Sequence, residues 1–485
     1  MIYGLGTILP RFLNYLLTPL LTYIFQKPVD YGVNSEIYAY IAFLNVIFTY
    51  GMETAFFNFS SKRENKEDVY NTALSSILLS TAVFSMLMFV FSGSIASWLQ
   101  YPDKINYIYW TILILATDAV MAIPFARLRL SNKAIHFALI KAANVFVNIS
   151  LHVFFFVFCK NAYESNSDSA LASLYKPEIG IGYAFLSNLI ANLFSLLLLA
   201  PQLKDFRFQI NKILWMEMFS YAWPLLILGL AGMVNETFDR IIIKKLLPEN
   251  LGQHAQGIYG ACYKISILMT VFIQAFRYAA EPFFFNNAKN KDAKKTYAFV
   301  MKVFVIFCSF LFLVTMMNLP VLKYFISAPY WEGLSVVPVL LMANLFLGVY
   351  YNLSIWYKLT GQTKFGATIT IIGACITLAI NFAFVPQFSY NASAWATLAA
   401  YFSMALISYR LGQKHYPIKY NLRAMGVFFI IALVLYFLSM SWQQMESKYL
   451  RLFLNNLLVV FFVYLFCKLE LPQIRTFKKN SQILL

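Results

Sequence analysis

Arg11 and Lys141 lie several residues inside long apolar segments, too deep for easy snorkelling, and no acid three or four residues away on the same segment neutralises either one. A charge at mid-bilayer costs about 2.5–3.5 kcal/mol on insertion scales, so such a residue turns either to a wet cationic cavity or to a partner on another helix, for which Asp118 is the example. The polar residues around these cations recur at helical spacing. Thr7, Arg11, Asn14 and Thr18 follow a 4-3-4 pattern, Asn45, Thr49 and Glu53 a 4-4 pattern, and Lys141, Asn144, Asn148 and His152 a 3-4-4 stripe. Asn188, Asn192 and Ser195, and Thr370, Gly373, Thr377 and Asn381, form two uncharged sets that equally suit helix–helix contacts worth about 0.6 kcal/mol per hydrogen bond. Further along, Lys264 and Arg277 share one segment, and Asn235 and Asp239 lie four apart at the end of another. Arg277 also fits a basic anchor at the membrane face, and Asp239 beside Arg240 a local surface pair.

These residues need membrane helices to position them. The 485-residue chain is 60% apolar, 18% aromatic and only 12% charged, with a mean hydropathy of +0.64. Apolar runs of about 18–25 residues cross about 30 Å of hydrocarbon as helices, and the short alternating strands of a barrel are absent, so the chain is expected to be an all-α polytopic membrane protein. About fourteen spans are read at 2–25, 35–59, 70–93, 105–125, 134–158, 179–200, 214–236, 255–280, 298–319, 334–356, 366–386, 392–410, 424–440 and 449–467.

The chain also repeats. Tyr31, Gly32, Tyr50, Glu53, Phe56, Phe57 and Asn58 return as Tyr259, Gly260, Tyr278, Glu281, Phe284, Phe285 and Asn286, all at an offset of 228. Upstream of each copy lies a proline-interrupted apolar segment, TILPRFLNYLLTPLLTYIF and SYAWPLLILGLAGMVNETFDR. Two related halves, each opening with a broken helix, are the pattern of a transporter whose substrate sits between the halves. Six spans per half place the symmetry axis along the membrane normal. The expected organisation is two pseudo-symmetric six-helix lobes, residues 1–200 and 201–411, and a C-terminal helix pair with its tail at 412–485. Glu53 and Glu281 take equivalent places at one end of the second and eighth spans. If they face each other across the axis, closing a gate there requires a proton, a sodium ion or a base between them; otherwise each pairs with a nearby Lys or Arg in its own loop.

A formal charge of +17 raises the question of nucleic acid, but its distribution answers otherwise. Every second loop is basic, about 23 Lys and Arg against about 10 on the other side, which puts both termini in the cytoplasm by the positive-inside rule and leaves nucleic-acid binding without support. The longest hydrophilic stretch, residues 160–178, cannot hold a soluble catalytic domain. The five cysteines, one per helix or helix end, read as packing residues, and neither they nor His136, His152, His254 and His415 have metal-ligand spacing; no metal or cofactor is expected. The first apolar segment begins at Met1 without a basic lead and runs too long for a signal-peptide core.

The strings YGLGTILPRFLNYLLTPLLTYIF, YGVNSEIYAYIAFLNVIFTYGMETAFFNFSSK and TGQTKFGATITIIGACITLAINFAFVP resemble the polysaccharide transporter and O-antigen flippase branch of the multidrug, oligosaccharidyl-lipid and polysaccharide exporter superfamily, over essentially the whole chain. The resemblance implies a non-enzymatic flippase of the bacterial inner membrane. It would move undecaprenyl-pyrophosphate-linked oligosaccharide between leaflets by alternating access, for O-antigen, lipopolysaccharide or other surface polysaccharide synthesis. On that reading Arg11, Lys141, Lys264 and Arg277 supply cations to the pyrophosphate, and polar side chains such as Asn14 and Asn144 bond the sugars. Asp118, Asp239 or Asn381 would serve a coupling ion, H+ or Na+, with Glu53 and Glu281 at the gate; a polysaccharide polymerase is a further candidate partner. Relatives carry a basic amphipathic stretch before the first span, whereas this chain starts at Met1-Ile2-Tyr3, so either the start lies upstream or that lead is dispensable. The alternatives are an ion-coupled drug or metabolite exporter of the same superfamily and a membrane polymerase or ligase, which would need a long catalytic loop.

Overall fold

A computed structural model describes residues 13–131, 133–165, 169–288, 290 and 292–473. Arg11 of the expected binding set, and Lys289, Lys291, Arg475, Lys478 and Lys479 of the basic loops, lie outside the described residues. Within them the regular elements are helices, with no strand. We label the main ones α1 (Leu13–Ile24), α2 (Pro28–Thr49), α3 (Met52–Ser60), α4 (Lys66–Val90), α5 (Pro102–Leu130), α6 (Ala134–Glu164), α7 (Gly182–Leu198), α8 (Lys212–Leu246), α9 (Glu249–Ile265), α10 (Ile267–Asn287), α11 (Ala293–Met317), α12 (Ala328–Leu359), α13 (Lys364–Phe388), α14 (Tyr390–His415), α15 (Leu422–Met440) and α16 (Lys448–Leu469).

Nine of these helices are long and apolar enough to cross a membrane, and eleven spans result if the bent pairs α2/α3 and α9/α10 each count as one. The other three of the fourteen expected spans correspond to α1 and α7, which are shorter, and α14, which is long but less apolar. Both bends fall in the repeated second helix of a half. At the first, bent by 41°, Tyr50 and Gly51 take left-handed backbone angles (φ 33° and 74°), and a Cβ on Gly51 would stand 2.8 Å from the Ala222 carbonyl oxygen. At the second, bent by 52°, the Ser266 hydroxyl turns onto the Tyr263 carbonyl at 2.7 Å. The proline of the second opening segment does not interrupt its helix: α8 runs unbroken for 35 residues through Pro224. In the second half, chain breakage thus sits one helix later than the proline suggests.

Packing divides the chain into two compact units, Met1–Ala261 with Asn381–Ser389, and Cys262–Ile380 with Tyr390–Leu485. In the first, α2 lies along α8 and α5, and α5 is flanked by α4 and α7. The α2 and α9 backbones meet through glycine: a Cβ on Gly257 would stand 1.8 Å from the Pro28 carbonyl oxygen, and one on Gly32 2.8 Å from that of Gln253. The chain between α7 and α8 is stitched onto α4. Arg207 N–H donates to Asn71 Oδ1 (3.0 Å), Gln209 N–H to Ser75 Oγ (3.0 Å), Asn211 N–H to Thr72 Oγ1 (3.3 Å) and Trp215 Nε1 to Ser76 Oγ (2.7 Å). Residues 201–261, kin to the second half by repeat, therefore pack in the first unit.

In the second unit α12 lies against α14, and α11 against α15 and α16. The C-terminal pair is anchored by the buried Lys302–Glu470 ion pair (2.5 Å), by reciprocal amide bonds between Asn318 and Asn456, and by Phe428 against Phe462.

Candidate functional site

The polar stripes of α6 and α7 meet at Asp118, midway along α5. Its carboxylate accepts a hydrogen bond from Asn192 Nδ2 at 2.9 Å, and the same amide reaches Thr117 Oγ1 at 3.3 Å. Asn144 Nδ2 donates to Asn192 Oδ1 (3.2 Å) and Ser195 Oγ (2.9 Å). One turn before Asn144, the charge of Lys141 acts on Asp118, while its ammonium lies 4.1 Å from the Phe125 ring centroid. Two further helices join: Asn148 Nδ2 donates to Asn14 Oδ1 on α1 (3.2 Å), and Asn188 Nδ2 to the Tyr38 hydroxyl on α2 (2.8 Å). Asn14 is exposed and Lys141, Asn144, Asn188 and Asp118 are half-buried, so the network is open along one side. His152, the last of its stripe, is instead buried, its Nδ1 2.8 Å from the Asn148 carbonyl. Lys141 is thus partly exposed, over the Phe125 ring and within reach of the Asp118 charge.

Arg277, Glu281 and Lys358 line one small cavity of the second unit with Tyr351 and Ser354. The Arg277 guanidinium lies 5.0 Å from the Tyr351 ring centroid, and Lys358 Nζ donates to Glu281 at 2.7 Å. Glu53 is likewise paired, with Arg129 at the end of α5, whose guanidinium also covers the Phe57 ring. Arg129 and Lys358 are 229 positions apart, one off the repeat, so both halves carry the same acid–base pair in the same place. Neither base belongs to the acid's own loop; each comes from the end of another helix. Lys264 is half-buried one residue before α9 ends, and Asn381 is fully buried in α13.

Asp239 differs from the surface pair expected beside Arg240. It is buried, and its carboxylate accepts from the Tyr259 hydroxyl (2.5 Å) and the Arg240 N–H (2.8 Å). The reason is length: α8 continues ten residues past the span read at 214–236, carrying Asp239 inside the bundle.

That same extension hides the main feature the sequence reading missed. Lys244 and Glu36, both fully buried, pair at 2.7 Å; Lys244 also donates to the Leu99 carbonyl (2.7 Å), and the Tyr101 hydroxyl to Glu36 at 2.6 Å. Burial and the Glu36 carboxylate push the Tyr101 phenol up, so it remains a donor. The signal was a lysine directly after Ile241-Ile242-Ile243, and an acid two turns into α2, whose start at Pro28 lies seven residues before the expected 35. The α4 stripe Asn71, Thr72, Ser75, Ser76 was legible by the same 3.6-residue period.

Solved structures share this architecture. A lipid II flippase, MurJ, in an inward closed conformation superposes with a TM-score of 0.66 at 15% identity, over 96% of this chain and 98% of that one. A multidrug resistance MATE family transporter of the MOP superfamily gives 0.62 inward-facing (13% identity, 88% of this chain, 95% of that one) and 0.59 outward-facing (13%, 88% and 94%). The fold is thus that of MOP-superfamily transporters. By sequence, residues 1–288 match the model of the polysaccharide biosynthesis protein family, and the chain belongs to that family. No curated protein matches it in sequence.

Proposed function

We propose that the protein is a flippase that carries a lipid-linked oligosaccharide, with an undecaprenyl-pyrophosphate anchor, from the cytoplasmic to the periplasmic leaflet of the bacterial inner membrane by alternating access. The observation that carries this reading is the open Asp118–Lys141–Asn144 network in a chain of the polysaccharide biosynthesis family. Amides and hydroxyls from five helices match sugar hydroxyls, and Lys141 matches phosphate oxygens. The flipped lipid needs no bond broken, so the protein acts as a transporter and not an enzyme. Both termini are cytoplasmic on this reading, which puts the Glu53 and Glu281 pairs at the inner face and the Glu36–Lys244 pair at the outer.

In a strain deleted for the gene, the wild-type protein should restore surface glycan, and Lys141→Ala, Arg277→Ala and Arg11→Ala should each fail to restore it at normal protein level in the membrane. Full restoration by Lys141→Ala and Arg277→Ala would overturn the reading. An ion-coupled exporter of small molecules is the second reading, favoured by Asp118 itself, a half-buried carboxylate in the first unit. It predicts a change in drug susceptibility, with surface glycan intact, on Asp118→Asn.

A further inference from the structure

A second polar cavity lies far along the chain from the first network, where four helices of the second unit end together. The C-terminal end of α11, the N-terminal end of α12, the C-terminal end of α15 and the first turns of α16 enclose about 560 Å3. Its lining is mixed: Ser335, Ser439 and Asn455 stand among apolar side chains such as Leu319, Leu334 and Met440. Two cations enter it, Lys323 and Arg451. Arg451 is held by one bond, from NH1 to the Gln443 carbonyl (2.6 Å), while its Nε is buried without a hydrogen-bond partner among the described residues. Lys323 lies 4.0 Å from the Trp331 ring centroid, and Lys448 donates to the Tyr324 hydroxyl at 3.2 Å. None of these three cations forms an ion pair among the described residues.

The surroundings specify where such a pocket works. Trp331, Tyr324 and Trp442 cluster at these helix ends, as aromatic side chains do at the headgroup level of a bilayer, and Phe437, Leu438 and Leu450 beside them are exposed apolar surface. A ligand must then be anionic at its head, compact enough for the cavity, and apolar where it leaves it. We infer that this pocket holds the phosphate headgroup of an anionic membrane lipid, with Arg451 and Lys323 gripping the phosphate oxygens, Ser335 and Ser439 bonding the headgroup hydroxyls, and the acyl chains lying on the α15–α16 surface. Guanidinium geometry suits the role, because Nε and a terminal amine present a paired fork to two phosphate oxygens.

The test is native mass spectrometry of the full-length protein released from detergent with phosphatidylglycerol, with phosphatidylcholine, or with inorganic phosphate. Wild type should retain phosphatidylglycerol at least about tenfold more than phosphatidylcholine, and Lys323→Gln with Arg451→Gln should remove that preference. Lys323→Gln alone, a change at the cavity mouth that leaves the Arg451 contact with Gln443 in place, should weaken it about threefold, and Arg451→Lys should weaken it less than Arg451→Gln. Equal retention of the two lipids by wild type, or an unchanged preference in the double variant, would overturn the proposal. Retention of inorganic phosphate as strong as that of phosphatidylglycerol would identify a free-phosphate site instead and overturn the lipid assignment.

Discussion

The two ends of α2/α3 carry the same kind of group in opposite settings. At one end Glu36 and Lys244 pair with neither side chain exposed; at the other, Glu53 and Arg129 pair while 38% and 33% exposed, as do Glu281 and Lys358 at 40% and 29%. Water offsets most of what an exposed pair gains, whereas a buried pair, once formed, leaves a stranded charge if either partner is removed. The Glu36 end is therefore a fixed contact, reinforced by the approach of Gly257 and Gly32 to facing backbone. The Glu53 and Glu281 ends can exchange partners at little cost. On the proposed function, alternation between two open faces needs both kinds of contact: one that holds a face shut and one that gives way.

The comparison breaks most readily at the buried pair. Glu36→Gln or Lys244→Met should each destabilise the detergent-purified protein by about 3–5 kcal/mol, read as a large fall in melting temperature, whereas the double variant Glu36→Leu with Lys244→Met should return most of it. Single variants that melt like the wild type would remove the contrast between the ends. Next in size, Gly257→Val drives a side chain into the Pro28 backbone and should cost about 2–3 kcal/mol, with wider spacing between cysteine pairs introduced on α2 and α9 as the structural readout. The seam of α4 with the chain entering α8 relies on neutral bonds. Ser76→Ala removes the partner of both Tyr50 and Trp215 and should cost about 1 kcal/mol by thermal melting. Smallest of all, Glu53→Gln and Glu281→Gln should each change stability by under about 1 kcal/mol while slowing lipid flipping in reconstituted vesicles, and the exchange Glu53→Arg with Arg129→Glu should recover more of the rate than either single change. Loss of folded protein on Glu53→Gln would show that this end is as rigid as the other.

Much of the site was legible because helical periodicity is local. The stripe Lys141, Asn144, Asn148, and the set Asn188, Asn192, Ser195, follow from spacing alone, and their convergence needed only that charged and amide groups avoid lipid. The equivalence of Glu53 and Glu281 was equally plain in the repeat, since a constant offset requires no knowledge of contacts. Their partners were not. Arg129 and Lys358 reach the acids from the ends of other helices, and nothing in either segment states which helix ends come together.

The amino-acid sequence by itself determined the class of the molecule: apolar runs of bilayer length leave helices as the only way to satisfy the backbone, and the repeat makes two related halves of them. Only the tertiary structure decided where those helices end and which charges meet. Hydropathy stops counting at the first charges after an apolar run, here Glu236, Asp239 and Arg240, so α8 was cut short of Asp239 and Lys244. In the fold that lysine stays inside the bundle, because Glu36, 208 residues away, and the Leu99 carbonyl supply what water would have given it.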